Sequence, residues 1–260
     1  MFEKELYMMI YASKVAQEKI LEIYHQNFDV EIKNDESPVT MADKLADKII
    51  KEILSSSFPN YGFLTEESDD DLTRLDKEYI FVIDPVDGTK DFVSKNGQFT
   101  TNIGLVKNHE VVCGVVNIPA SNELYYAVKG SGAYYVNSNL ETTRIHVNNK
   151  KEDLTMLVSN FHTTKEELEI VNRHKDKITK VEKLGSSIKA CRIAHGLAEV
   201  SFRLGPNTKE WDTCSSQIIV LEAGGIFAQP DLTPITYNRV DVYNKNGFVI
   251  LNSKDNLLIK

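Results

Sequence analysis

Asp84 and Asp87 stand three residues apart in the run Asp84-Pro85-Val86-Asp87-Gly88-Thr89-Lys90-Asp91-Phe92. Two carboxylates on one tight turn repel each other unless a positive group sits between them. Hard oxygen ligands without His or Cys favour Mg²⁺, which keeps waters and shares its coordination with substrate phosphate. Gly88 and Thr89 let backbone N–H groups come close to an anion. The stretch reads as a metal-and-phosphate turn.

Tyr79–Ile83 must position that turn. It is a short apolar, partly β-branched run, which predicts a buried strand ended by Pro85. Upstream, Leu6, Met9, Ile10, Ala16, Ile20 and Ile23 recur at helical spacing. A second helix is expected from about Thr40, with Leu45, Ala46, Ile49, Ile50 and Ile53 on one face. Thr40-Met41-Ala42-Asp43 has the form of a capping box, which gives Asp43 a structural use. Thr100–Val106, Glu110–Asn117 and Glu123–Val128 predict strands, separated by turns at Asn108-His109, Pro119–Asn122 and Gly130–Gly132.

The polar stretch Asn148–Asp153 predicts a boundary, dividing the chain into halves 1–150 and 151–260. In the second half strands are expected at Leu154–Ser159, Thr179–Leu184 and Ala198–Phe202, with Gly247–Leu251 closing the sheet. Helices are expected at Lys165–His174, after Gly185-Ser186-Ser187, and at Asp212–Glu222, with Asp212 as the helix cap. The first half is thus α+β and the second α/β.

The chain has 260 residues and a net charge of −8, which argues against nucleic-acid polymer and anionic membrane partners. No apolar run is long enough to span a bilayer, and Met1–Glu5 lacks the features of a signal peptide. Cys113, Cys191 and Cys214 have no metal-ligand spacing and are expected as reduced, buried thiols in a cytoplasmic protein. The oligomeric state stays open, a homodimer included.

The Asp84–Phe92 pattern closely resembles the signature of the inositol monophosphatase superfamily of Mg²⁺-dependent phosphatases. Leu64-Thr65-Glu66-Glu67-Ser68 and Trp211-Asp212-Thr213, running on to Glu222-Ala223-Gly224-Gly225, match two further blocks in that family's order. The resemblance implies a layered αβαβα sandwich and two or three Mg²⁺ ions. It implies metal ligation by Glu66, Glu67, Asp84, the Val86 carbonyl, Asp87 and Asp212. It implies that Asp43, Thr89 and Glu66 position and deprotonate an attacking water, that Gly88 and Thr89 bind phosphate, and that Asp212 also faces substrate. Gly185-Ser186-Ser187 becomes a substrate loop.

Gly-Ser-Ser-Ile-Lys at 185–189, Arg203 and Lys90 resemble most the CysQ-type branch of 3'(2'),5'-bisphosphate nucleotidases. A second substrate phosphate would give Lys189 and Arg203 something to hold. Gln98 stands where that branch commonly has glutamate. The expected substrate is a small phosphorylated metabolite, with 3'-phosphoadenosine 5'-phosphate ahead of inositol monophosphate and fructose 1,6-bisphosphate. The rival of another class is a non-catalytic Mg²⁺ or nucleotide sensor. The family also implies sensitivity to lithium.

Overall fold

Apolar residues three and four apart build α1 (Glu3–Tyr24), where Met9, Ala12, Ala16 and Ile20 are fully buried. The structure is a computed structural model that describes residues 2–26, 30–32 and 38–259, with side chains described for 2–26 and 41–259. Strands β1 (Val30–Ile32) and β2 (Pro38–Thr40) pair antiparallel as a short ribbon. Helix α2 (Met41–Ser57) buries Ala42, Ala46, Ile50 and Leu54 along one stripe and Asp43 and Asp47 along the next. It starts where the sequence places it, although the Thr40 side chain proposed as its cap lies outside the described residues.

A seven-stranded sheet follows in chain order: β3 (Gly62–Thr65), β4 (Tyr79–Asp87), β5 (Thr100–Lys107), β6 (Glu110–Ile118), β7 (Glu123–Val128), β8 (Gly132–Val136) and β9 (Thr142–Ile145). The β3–β4 pair is parallel and the rest are antiparallel. Helix α3 (Thr89–Val93) leaves the end of β4.

Beyond residue 150 come β10 (Leu154–Val158), α4 (Lys165–Arg173), β11 (Ile178–Lys183), α5 (Ile188–Ala194), β12 (Val200–Arg203), α6 (Glu210–Glu222), β13 (Ile226–Ala228) and β14 (Phe248–Leu251). The second sheet has the order β11-β10-β12-β14-β13. The last strand of the first sheet ends at Ile145 and the first strand of the second begins at Leu154.

Strand alternation sorts the side chains into layers. Phe81 and Ile83 pack with α1 and α2, whereas Ile80 and Val82 face the opposite layer, with α5 and α6. In the second sheet Leu157 and Ile250 join that central layer, while Met156, Val158, Val249 and Leu251 pack with Ile170 of α4. The result is an αβαβα sandwich. Gly104 and Gly114 are paired partners in β5 and β6, and α6 lies directly on them. A Cβ on Gly104 would stand 2.3 Å from Cys214 Sγ, and one on Gly114 2.4 Å from the Ser215 carbonyl oxygen. Larger residues there would lift α6, and Asp212 with it, off the sheet.

Three expectations are corrected. Pro85 does not end β4, because the strand runs on to Asp87 through a bulge: Asp84 pairs with Asn102 but Asp87 with Thr100. A bulge is one of the few sheet positions where a missing N–H is tolerated, and Thr101 Oγ1 donates to the Pro85 carbonyl at 2.8 Å. Strand β14 does not close the second sheet, because the short β13 pairs outside it. Helix α6 starts at Glu210, which places Asp212 inside its first turn rather than at the cap. All three cysteines are free and buried, and burial pushes the Cys113 thiol up to about 12. Among the described residues no helix is long and apolar enough to cross a membrane.

Candidate active site

The bulge at the end of β4 brings Asp84 and Asp87 to the same side, and α6 delivers Asp212 from the layer above. One carboxylate oxygen from each of Asp84, Asp87 and Asp212 lies within 4.8 Å of the others. Asp84 is 1 % exposed, and among the described residues its Oδ1 has no hydrogen-bond partner. Burial, then the charges of Glu66, Asp87, Asp212 and Asp43, push the Asp84 carboxyl well above the usual carboxylate range. Burial, Asp87 and Glu66 do the same to Asp212. Such a cluster of hard oxygen donors, with Asp84 buried and Asp87 and Asp212 half-buried, could hold a metal ion.

Glu66 arrives from the end of β3, where its N–H continues the parallel pairing by donating to the Ile83 carbonyl at 3.2 Å. Glu67 follows on the same turn, half-buried. Ser68 ties this turn to α2: its Oγ donates to Asp47 Oδ2 at 2.8 Å and accepts from Lys51 Nζ at 2.7 Å. Asp43, one turn before Asp47 and 2 % exposed, is among the charges acting on Asp84. Gly88 turns the chain into α3 with φ +88°, and Thr89 Oγ1 stands 3.5 Å from the Val86 carbonyl oxygen.

The Gly185–Ser187 loop lies on the aspartates. Asp87 Oδ2 accepts from Ser186 Oγ at 2.5 Å, the Ser187 N–H at 2.9 Å, Ser187 Oγ at 3.1 Å and Asn102 Nδ2 at 3.2 Å. Ser187 therefore spends its hydroxyl on the acid rather than on capping α5. Gly185 is squeezed, since a Cβ would meet the Gln98 carbonyl oxygen at 2.4 Å and Asp91 at 2.6 Å. Gln98 Oε1 accepts from the Gly185 N–H and from Asn160 Nδ2, both at 2.8 Å.

Lys189 Nζ donates to the carbonyls of Ser186 at 2.6 Å and Leu184 at 3.2 Å, so it braces the loop from within. Burial lowers its pKa. Arg203 donates to the His162 carbonyl and stands 3.7 Å from Glu167. Burial lowers the His162 pKa, and the charges of Lys90, Arg203 and Lys189 add to that. Asp212, as the third residue of α6, accepts from the Lys209 N–H at 2.6 Å.

Sequence reasoning did not find Asn102, His162, Asn160 or Ser68. A hydroxyl after a Glu-Glu pair was the only local signal among them.

The inositol monophosphatase family model matches residues 3–259. The 3'(2'),5'-bisphosphate nucleotidase CysQ of Aggregatibacter actinomycetemcomitans is 32 % identical over 252 residues, 95 % of this chain and 92 % of that protein. The protein of the same name from Escherichia coli K12 is 31 % identical over 239 residues, 90 % of this chain and 94 % of that protein. The crystal structure of CysQ from Bacteroides thetaiotaomicron, titled a bacterial member of the inositol monophosphatase family, superimposes with TM-score 0.83 at 33 % identity. It covers 97 % of this chain and 99 % of its own. An IMPase of Thermotoga maritima shares the fold with TM-score 0.82 at 24 % identity, over 98 % of this chain and 95 % of its own.

Proposed function

The chain belongs to the inositol monophosphatase family, and from that membership we propose a Mg²⁺-dependent phosphomonoesterase that removes the 3'-phosphate of 3'-phosphoadenosine 5'-phosphate. The observation that carries this reading is the convergence of Asp84, Asp87 and Asp212 around a buried, unpartnered carboxylate oxygen. Glu66, Asp84 and the Val86 carbonyl would hold one ion, and Asp84, Asp87 and Asp212 a second. Glu67 is the candidate for an outer ligand or a third ion. Bound Mg²⁺ supplies Lewis-acid chemistry, acidifying water and neutralising charge that develops on phosphate oxygens.

The chain's own groups do the positioning, the larger share of catalysis in phosphoryl transfer. Thr89, Asp43 and Glu66 orient the attacking water and take its proton. The N–H groups of Gly88 and Thr89 bind the phosphate. Ser186 and Ser187 hold Asp87 in place through its Oδ2. Lys90 and Arg203 are the candidates to hold a second phosphate, which would favour the bisphosphate nucleotide over inositol monophosphate, while Lys189 braces the substrate loop through the Ser186 and Leu184 carbonyls. The division near residue 150 then has a functional sense: the first half supplies most metal ligands, the second the substrate loop and Asp212.

Phosphate release in Mg²⁺ from 3'-phosphoadenosine 5'-phosphate, with inositol 1-phosphate and fructose 1,6-bisphosphate alongside, tests the assignment. A much larger kcat/KM for the nucleotide is expected. Preference for inositol 1-phosphate overturns the substrate and keeps the chemistry, and no turnover of any of the three leaves a sensor.

A further inference from the structure

A second set of buried charge lies against the start of α6. Glu210 precedes Asp212 by two residues and is fully buried. Its carboxylate accepts from the Asn238 N–H at 2.7 Å, the Arg239 N–H at 2.9 Å and Arg239 Nε at 3.0 Å. Asn244 closes over the same turn. Its Nδ2 donates to the Lys209 carbonyl at 2.8 Å, and its Oδ1 accepts from Arg239 Nη2 at 2.8 Å. The segment 238–244 thus grips the backbone that leads into Asp212.

The segment also reaches the other way. Arg74, 2 % exposed, donates through Nη1 to Asn238 Oδ1 at 2.7 Å and through Nη2 to the Arg239 carbonyl at 2.8 Å. Its Nε and Nη2 grip Asp70 at 3.0 and 2.7 Å. Asp70 and Arg74 belong to the connection that leaves β3 through Glu66. Asp70, itself partly exposed, thus pairs with a buried guanidinium.

Glu66 and Asp212 come from different elements and carry like charge at one site, so electrostatics alone would drive them apart. A guanidinium buried among charge-assisted bonds is stiff, and removing a partner is costly. We propose that Arg74, Asn238 and Glu210 form a strut that fixes the spacing between the Glu66 turn and Asp212. Its members are positioning residues and touch no reacting atom. The inference rests on the proposed reading of Glu66 and Asp212 as cation ligands.

Asn238→Gly tests it. Asn238 has φ +58°, a conformation glycine adopts freely, so the substitution removes the amide link to Arg74 without straining the backbone. Calorimetric titration of the protein with MgCl₂ should show affinity weakened about tenfold, the low end for groups that orient a ligand. Turnover at saturating Mg²⁺ should be little changed. Glu199→Gln is the control: it breaks a buried network remote from the cluster and should lower the melting temperature without moving Mg²⁺ affinity. If Asn238→Gly does not fold, Glu210→Gln is titrated in its place. A melting temperature lowered at wild-type Mg²⁺ affinity would show the network to be structural only, and equal weakening in the control also overturns the strut. A wild-type protein that binds no Mg²⁺ fails earlier, at the proposed function.

Discussion

Glu199 and Asp84 are both carboxylates with 1 % exposure, and the chain treats them in opposite ways. Glu199 accepts from the Thr155 N–H and Asn148 Nδ2, each at 2.6 Å, and Lys150 Nζ stands 3.8 Å away. Asp84 faces Glu66, Asp87 and Asp212, and its Oδ1 takes no donor among the described residues. Burying a charge costs several kcal/mol, offset at Glu199 by donors the protein supplies. At Asp84 the offset must come from outside the chain. Burial of an acid therefore does not by itself mark a site; at Asp84 the convergence of further acids does. Asp87 combines both conditions, with one oxygen served by four donors beside two competing acids.

The sharpest way to break this contrast is Asp87→Asn. It keeps shape and removes charge from the underserved cluster. kcat/KM for the nucleotide should fall on the order of 10³-fold, several kcal/mol of transition-state stabilisation, while the circular dichroism spectrum stays that of the wild type. Wild-type turnover would sink the two-metal scheme. Glu199→Gln should do the reverse. It leaves a buried donor badly matched and should cost about 2–3 kcal/mol in urea unfolding, with kcat/KM unchanged. A Glu199 variant that unfolds like the wild type would mean that satisfied buried acids contribute little here.

Much of this contrast was written locally. The β-branched run at Tyr79–Ile83, the stripe at Ala46, Ile50 and Ile53, and the three-residue step from Asp84 to Asp87 each carry their own periodicity or spacing. The misplaced details are those where a partner strand or a distant residue decides. Pro85 obeys its strand-breaking preference until β5 accommodates it in a bulge. Asp212 looked like a cap because nothing nearby announces that Glu210 is buried against Asn238 and Arg239. Arg74 and Asn238 are 164 positions apart, and no spacing rule spans that distance. The donors on Asp87 from Ser186 and Ser187 escape for the same reason. Ligands concentrated in short motifs are legible, whereas the groups that hold them at their distances are scattered through the fold.

The smallest effect tests the electrostatic half of the contrast. In the folded protein Asp84 keeps its proton to a higher pH than an unfolded carboxyl, which ionises near pH 4. Above about pH 4 the folded state thus binds more protons than the unfolded one, and stability must fall as pH rises toward the raised value. Asparagine at 84 removes that contribution, while Asp212, raised by burial, Asp87 and Glu66, retains its own. In EDTA, thermal melts of Asp84→Asn should gain on the wild type progressively as pH rises above about pH 4. In saturating Mg²⁺ the ordering should reverse, because the cation binds only the ionised cluster and so stabilises the wild type increasingly as pH rises. If both proteins lose stability in parallel in EDTA, the cluster is not short of positive charge, and Asp84 belongs with Glu199 after all.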